Sequence, residues 1–311
     1  MRVNSLSGRS ILSVNDLSAD EFESLIDLSI RVKKSLKAGL FGLEKEGSVV
    51  TLLFQKPSTR TRLSLEVAAR MLKAHPIYLG ASETQLSRGE PIADTVRVFE
   101  RMADCIVARV NSHADLVTMK RLSRVPVINA LSDFEHPLQA LADFMTLKEK
   151  KGSLRGLKLA YVGDGNNVAH SLILGAAKLG VWISVATPEG YRPSLEVVAA
   201  AKVEAEKTGA RVDVLSSPQR AVEDADAVYT DVWVSMGQEA EGKKKVEALR
   251  GYQVNSELMK LAKPGAFFMH CLPAHRGEEV SEEVLESPAS IVFDQAENRL
   301  HTAIAVLYSV L

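Results

Sequence analysis

The amino-acid sequence predicts an α/β protein of two domains, each built on a parallel sheet flanked by helices. Short apolar runs of strand length alternate along the chain with segments that repeat apolar residues at helical spacing. A charged, glycine-containing joint, KEKKGSLRG at 148–156, interrupts this alternation, which then restarts. Such alternation is typical of parallel sheets covered on both faces, and two series of it indicate two domains.

The elements follow from the pattern in chain order. Apolar residues such as Phe22, Leu25 and Ile26 predict a first helix over 16–37. Strands are then predicted over 48–54, 76–79, 104–110 and 125–129. After the joint, strands are predicted over 158–163, 181–187, 211–215, 226–232 and 265–270, and helices over 167–179 and 194–208. Because ligands of open parallel sheets bind beyond the carboxyl ends of the strands, functional motifs are expected just after them.

Composition excludes several classes of function. The chain has 46% hydrophobic and 25% charged residues, as ordinary globular proteins do. The formal net charge is -1 with both signs mixed, so no nucleic-acid partner is predicted. The N-terminal segment lacks the apolar core of a signal peptide, and no stretch is long enough to span a membrane. The two cysteines, Cys105 and Cys271, are not at metal-ligand spacing and favour a reducing, cytoplasmic setting.

The first motif, FQKPSTRTRLSLE at 54–66, follows a predicted strand and opens a helix on which Leu63 and Val67 recur. The unpaired N–H groups of the first helical turn, the hydroxyls and Arg60 suit an anion with several oxygens, such as phosphate. The alternative is structural, with Ser58 as the N-cap and the arginines in solvent. Taken alone, the motif slightly favours the structural interpretation.

Two further groups follow strands of the first series. Arg109, in ADCIVARVNSH, needs an anion or a carboxylate if its strand is buried, and a structural ion pair would serve equally well. In DFEHPLQALADFM, Pro137 suits the first helical position, so His136 and Gln139 stand together at the helix start. Both side chains could donate to one carbonyl oxygen, or Gln139 could instead cap the helix.

The second series carries its own candidates. YVGDGNNVAHS has Val168 where a G-x-G-x-x-G dinucleotide motif needs glycine, so a nicotinamide or flavin site is not predicted. The same turn could present Asn166 or Asn167 to a small ligand. Asp231 at a strand end and Ser235 beyond it suit an ammonium group, although Asp231 could simply start a turn.

The last motif, GAFFMHCLPAHRG, places Cys271 after a strand. A free cysteine is most often only buried, but a thiol nucleophile paired with His270, His275 or His301 is also compatible with the sequence. Arg299 is expected at the mouth of an apolar C-terminal helix. The sequence shows no metal cluster, Walker loop or Ser–His–Asp signature, so no metal or cofactor is predicted. Together, the candidate side chains suit acyl transfer from an acyl phosphate, in which catalysis comes mainly from positioning and electrostatic stabilisation.

Five motifs in order then identify a resemblance: S-T-R-T at 58–61, H-P-x-Q at 136–139, D-x-W-x-S-M-G at 231–237, H-C-L-P at 270–273 and A-E-N-R at 296–299. With them the chain resembles the carbamoyltransferase family nearly end to end, and most of all its ornithine-specific members. The resemblance implies that carbamoyl phosphate and L-ornithine give citrulline and phosphate, as in arginine biosynthesis, without a cofactor. It also implies a homotrimer or an assembly of trimers.

The resemblance also implies which domain binds which substrate. Residues 1–135 are expected to bind carbamoyl phosphate, with helix 298–311 returning to them. Residues 150–290 are expected to bind ornithine, and 136–149 to form one of two helices that join the domains. Other amines stay open, namely putrescine and N-acylated ornithine, as does a non-catalytic protein that binds carbamoyl phosphate.

Individual residues are carried over on the motifs. The expected carbamoyl phosphate residues are Ser58, Thr59, Arg60, Thr61, Gln85 from a neighbouring subunit, Arg109, His136, Gln139, Cys271, Leu272 and Arg299. The expected ornithine residues are Asn167, Asp231, Ser235 and the backbone of Met236. The expected catalytic residues are Arg109, His136 and Gln139, which stabilise charge on the carbonyl oxygen, and Asp231 and Cys271, which orient the amine. Loop 234–243 is expected to close over ornithine, and the Leu272–Pro273 bond is expected to be cis.

Overall fold

The computed structural model describes residues 3–234 and 242–311, which form two compact units. Unit 1 comprises the residues up to Met145 together with Glu297–Leu311, and unit 2 comprises Thr146–Ala296. Both boundaries fall within helices, Pro137–Lys151 and Val292–Val310, so two helices carry the chain from one unit to the other. The predicted fold class, parallel sheets flanked by helices, is confirmed.

Unit 1 is built on a four-stranded parallel sheet. Its strands are β1 Val49–Phe54, β2 His75–Gly80, β3 Cys105–Arg109 and β4 Val127–Leu131. Its helices are α1 Ala19–Lys37, α2 Thr59–Met71, α3 Ile92–Phe99, α4 His113–Leu122 and α5 Pro137–Lys151, which continues into unit 2. The strand order is β2-β1-β3-β4, and Phe54 pairs with Arg109. The turn after β1 therefore lies at the same sheet edge as the end of β3.

One local prediction in unit 1 needs correction. Helix α1 begins at Ala19 rather than at residue 16, because Ser18 and Glu21 form a capping box there. Helix α2 is present as predicted, with Leu63 61% exposed on it. Leu65 and Ala68 are buried instead, because that side of the helix packs on β1 and β2.

Unit 2 is built on a five-stranded parallel sheet in the order β7-β6-β5-β8-β9. Its strands are β5 Lys158–Val162, β6 Trp182–Ala186, β7 Arg211–Leu215, β8 Ala227–Thr230 and β9 Phe267–His270. Its helices are α6 Asn167–Leu179, α7 Leu195–Thr208, α8 Pro218–Val222, α9 Gly242–Leu249, α10 Ser256–Met259, α11 Glu282–Leu285 and the start of α12 Val292–Val310. Thr230 pairs with His270, so Asp231 and Cys271 leave neighbouring strands at one edge.

The start of the C-terminal helix was predicted wrongly. Helix α12 begins at Val292, where Val292 and Gln295 are buried, so Arg299 lies two turns inside the helix rather than at its mouth. In 3–234 and 242–311, no helix is both long and apolar enough to cross a membrane.

Candidate active site

The S-T-R-T motif forms the turn between β1 and α2. Ser58 has an extended backbone, and its Oγ accepts the Thr61 N–H at 3.3 Å, so the predicted N-cap is confirmed. Thr59 is exposed, Arg60 is half-buried and Thr61 is buried. The N-terminus of α2 thus combines the positive end of the helix dipole with a guanidinium in its first turn. This arrangement suits a phosphate group.

Arg299 hydrogen-bonds to two other expected residues of unit 1. Its guanidinium donates to Thr61 Oγ1 at 3.2 Å and to Gln139 Oε1 at 2.5 Å. Gln139 Nε2 donates in turn to Asp143 Oδ1 at 2.8 Å, which fixes the orientation of the amide. Gln139 therefore does not cap α5 with its side chain, which excludes the capping interpretation. Asp143 was not anticipated, because its role depends on the position of Arg299.

His136 and Arg109 belong to the same buried group of side chains. Burial, Arg299 and Arg109 together hold the pKa of the His136 imidazole well below its usual range. The ring is therefore neutral at physiological pH and can donate a hydrogen bond without carrying charge. Helix α5 begins at Pro137, as the sequence predicts, so His136 directly precedes the helix and Gln139 lies in its first turn. A neutral donor beside two guanidinium groups suits an acyl phosphate.

Within the described part of the chain, Gln85 is exposed and has no hydrogen bond to this group. It begins a short 3-10 turn, Gln85–Arg88, that follows β2. Among the hydrogen bonds of the described residues, those of Gln85 involve its backbone carbonyl, which accepts from Gly89 and Glu90.

In unit 2, the expected residues Asp231 and Cys271 are hydrogen-bonded. The Cys271 thiol donates to Asp231 Oδ1 at 3.0 Å, and Val232 N–H donates to the same oxygen at 2.8 Å. Asn166 Nδ2 donates to Asp231 Oδ2 at 2.7 Å, while Asn166 Oδ1 caps α6. The turn alone left Asn166 and Asn167 open, and the resemblance selected Asn167 as an ornithine residue. The structure assigns the cap and the Asp231 contact to Asn166, and Asn167 is the first residue of α6.

The H-C-L-P segment follows β9. The Leu272–Pro273 peptide bond is cis, as the resemblance implies. Both ring nitrogens of His270 face other groups, Leu272 N at 2.8 Å and Glu279 Oε1 at 3.2 Å. Because both nitrogens are engaged, His270 is not available as the base for a Cys271 nucleophile. This weakens the alternative in which Cys271 is a thiol nucleophile.

Two groups of possible metal ligands occur in the described ranges. Ligand atoms of Asp231, His270 and Cys271 lie within 4.8 Å of one another, and a second group comprises His275, Glu278 and Glu279. Sequence spacing did not reveal the first group, because Asp231 is 40 residues from Cys271. In this group the Cys271 thiol already donates a hydrogen bond to the Asp231 carboxylate.

Two of the expected ornithine residues, Ser235 and Met236, lie outside the described residues, as does most of loop 234–243. A further buried contact was not anticipated in this unit. Lys245 Nζ lies 2.6 Å from Asp164 Oδ2, in the turn that also contains Asn166. A lysine within the run Lys243–Lys245 gives no sequence signal of burial.

Comparison with known families agrees with this arrangement. Residues 9–149 match the family model for the carbamoyl-P binding domain of aspartate/ornithine carbamoyltransferase, and residues 155–310 match that for the Asp/Orn binding domain. The chain belongs to the aspartate/ornithine carbamoyltransferase family.

Individual members of the aspartate/ornithine carbamoyltransferase family match along their whole length. The chain is 52% identical to the anabolic ornithine carbamoyltransferase of Pyrococcus furiosus over 98% of this chain and 97% of that protein. It is 52% identical to the ornithine carbamoyltransferase of Symbiobacterium thermophilum, with 98% of each chain covered. The solved structure of the Pyrococcus furiosus protein superposes with a TM-score of 0.94 at 51% identity, covering 98% of this chain and 97% of that one.

Proposed function

We propose that this chain transfers the carbamoyl group of carbamoyl phosphate to the side-chain amine of L-ornithine, giving L-citrulline and phosphate. The observation that carries the proposal is the neutral, buried His136 beside Arg109 and Arg299. Such a group can bind an anion and polarise a carbonyl oxygen together, which an acyl phosphate requires. The identity of the amine rests on the relatives, which are 52% identical and named as ornithine carbamoyltransferases.

Carbamoyl phosphate is assigned to residues 1–135 and 298–311. The N–H groups at the start of α2 and the Arg60 guanidinium hold the phosphate, with Ser58, Thr59 and Thr61 supplying hydroxyls. Arg109, His136 and Gln139 donate to the carbonyl oxygen as negative charge develops on it, which is where preorganised donors contribute most to the rate. Arg299 supports this assignment because it already bonds Thr61 and Gln139.

Ornithine is assigned to residues 150–290, with 136–149 as a linking helix. Asp231 and Ser235 hold the α-ammonium group, and Asn167 with the backbone of Met236 holds the α-carboxylate. Asp231 and Cys271 orient the reacting amine, and Cys271 and Leu272 also contact the carbamoyl phosphate. That amine must be neutral to attack the carbamoyl carbon, and the departing phosphate is a suitable acceptor for the proton it then loses. Cys271 acts here as a hydrogen-bonding group and forms no covalent bond.

We further propose that the active form is a homotrimer or an assembly of trimers, in which Gln85 reaches the site of a neighbouring subunit. Apolar side chains exposed on unit 1, including Leu63, Val98 and Met102, support a contact between copies. The two free thiols favour a reducing, cytoplasmic location. The mass of the particle in solution, measured by light scattering, tests the assembly.

The activity is tested by measuring citrulline and phosphate released from carbamoyl phosphate. Ornithine, putrescine, N-acetylornithine and aspartate are offered separately. We expect efficient turnover with ornithine alone. Turnover with another amine would overturn the assignment of Asp231 and Ser235 but not that of the phosphate residues. Absence of turnover with every amine, in protein that carbamoyl phosphate still protects against heat, would indicate a binding protein instead.

A further inference from the structure

The backbone that follows β9 has an unusual conformation at a position where the proposed reaction takes place. Leu272 has φ +59°, in the left-handed region that residues with a side chain seldom occupy. A leucine there persists only if surrounding contacts hold it. The backbone N–H of Leu272 donates a hydrogen bond to the side chain of His270, two residues earlier in the chain.

His270 is fully buried and accepts the Leu272 N–H at Nδ1, 2.8 Å away. A ring nitrogen that accepts a hydrogen bond carries no proton, so in the neutral imidazole the proton resides on Nε2. Nε2 lies 3.2 Å from Glu279 Oε1, which is also fully buried, and can donate to it. Glu279 therefore selects the tautomer that Leu272 needs.

Further hydrogen bonds hold His270 and Glu279 in place. The backbone N–H of His270 donates to Gln295 Oε1 of α12 at 3.0 Å. Glu279 Oε1 also accepts the His275 N–H at 2.6 Å, and its carbonyl accepts the Val254 N–H at 2.8 Å. The pair is thus anchored in unit 2 on the side of β9 and α12, while the Cys271 thiol turns towards Asp231.

We propose that His270 and Glu279 form a positioning pair, in which Glu279 sets the tautomer of His270 and His270 Nδ1 fixes the backbone of Cys271–Leu272. Neither side chain touches substrate or serves as a base. The pair acts on the placement of the thiol and of the Leu272 backbone, and in this sense it rests on the proposed function of that segment.

Two substitutions at one position separate the two contacts of the imidazole. His270→Asn places an oxygen near Nδ1 and can still accept the Leu272 N–H. His270→Gln places an amide nitrogen near Nε2 and can still donate to Glu279. We expect His270→Asn to keep kcat within about threefold and His270→Gln to lose about a hundredfold, the loss that a displacement of about 1 Å produces. The loss should appear in kcat more than in KM for carbamoyl phosphate, because the groups proposed to hold the phosphate lie in unit 1. His275→Asn, at an exposed neighbouring histidine, is the control.

The role of Glu279 is tested by a double-mutant cycle. Glu279→Leu removes the acceptor for Nε2–H, so the imidazole can protonate Nδ1 instead and lose the Leu272 contact. We expect a large loss of kcat in the parent and little further loss in the His270→Asn background, where no tautomer exists. The His275 N–H loses its acceptor in both backgrounds, so the cycle cancels that effect.

A second readout does not depend on turnover. Cys105 is fully buried, and burial raises the pKa of its thiol to about 12, so alkylation by iodoacetamide reports on Cys271. We expect His270→Gln to change the alkylation rate severalfold and His270→Asn to leave it near that of the parent. The proposal would be overturned if His270→Asn and His270→Gln changed kcat and the alkylation rate equally. It would also be overturned if the effects of Glu279→Leu and His270→Asn were additive. A parent that makes no citrulline would overturn the proposed function and leave the alkylation comparison as the test of the pair.

Discussion

Lys245 Nζ and Asp164 Oδ2 form an ion pair 2.6 Å long, with 7% of the lysine and 9% of the aspartate side chain exposed. Asp164 stands at the start of the turn that leads into α6, and its carbonyl accepts the Tyr161 hydroxyl at 2.8 Å. Burial raises the pKa of the Asp164 carboxyl more than the Lys245 charge lowers it. Asn166, two residues later, bonds Asp231. The ion pair therefore holds the turn that orients Asp231.

Removing one member of this pair should damage both stability and ornithine binding. Lys245→Met leaves a buried carboxylate without its cation, which typically costs about 3–5 kcal/mol. We expect this loss in urea unfolding, and a KM for ornithine that rises more than that for carbamoyl phosphate. Adding Asp164→Leu should recover most of the lost stability, because a buried pair can be replaced by apolar groups.

Lys244→Met is the matched control, since Lys244 is an exposed residue of the same helix. Its effect on the free energy of unfolding should stay within about 0.5 kcal/mol. A Lys245→Met protein as stable as the Lys244→Met protein would show that the ion pair contributes nothing to unit 2.

Arg299 should be needed for carbamoyl phosphate rather than for ornithine. Arg299→Lys keeps the charge but cannot make the two hydrogen bonds to Thr61 and Gln139 in the same geometry. A lysine ammonium outside that geometry loses a charge-assisted hydrogen bond to the substrate, which contributes about 1.5–3 kcal/mol, so we expect KM for carbamoyl phosphate to rise by about a hundredfold. Arg97→Lys, at an exposed arginine paired with Asp94, should leave both KM values unchanged. An equal rise in the two KM values for Arg299→Lys would contradict the assignment.

Ser58 should have two separable roles, as a helix cap and as a phosphate contact. Ser58→Ala and Ser18→Ala each remove a side-chain N-cap, and each should cost about 1 kcal/mol of stability. Only Ser58→Ala should also weaken the protection that carbamoyl phosphate gives against heat. If both variants are protected equally, Ser58 is a cap alone and the structural interpretation of S-T-R-T is sufficient.

The sequence predicts what is encoded locally. Ser58 could be identified as an N-cap and Pro137 as a helix start because both signals lie within a few residues of the element they begin. The hydrogen bond between Asn166 and Asp231 could not be predicted, because the two residues are 65 positions apart in the sequence. Lys245 was equally hidden, since its burial depends on Asp164, 81 residues earlier. The placement of Arg299 failed because helix α12 begins with residues that unit 2 buries.

His136 should give the stability of the protein a characteristic pH dependence. The pKa of an unfolded imidazole is about 6.5, and burial with Arg299 and Arg109 holds the native pKa well below its usual value. Between these two values the unfolded chain binds a proton that the native state does not. Stability therefore rises with pH across this window, and it falls on acidification below about pH 6.5 by up to about 1.4 kcal/mol per pH unit.

The His136→Gln variant isolates this contribution, because glutamine can still donate a hydrogen bond but does not titrate. We expect urea unfolding between pH 7.5 and 5.5 to show a shallower loss of stability in the variant than in the parent. Its kcat should fall by about 10²–10³, the effect of weakening one preorganised donor to the developing oxyanion. Parallel stability curves for the two proteins would mean that the pKa of His136 is the same in the native and unfolded states, which would contradict the argument that burial, Arg109 and Arg299 hold the imidazole neutral.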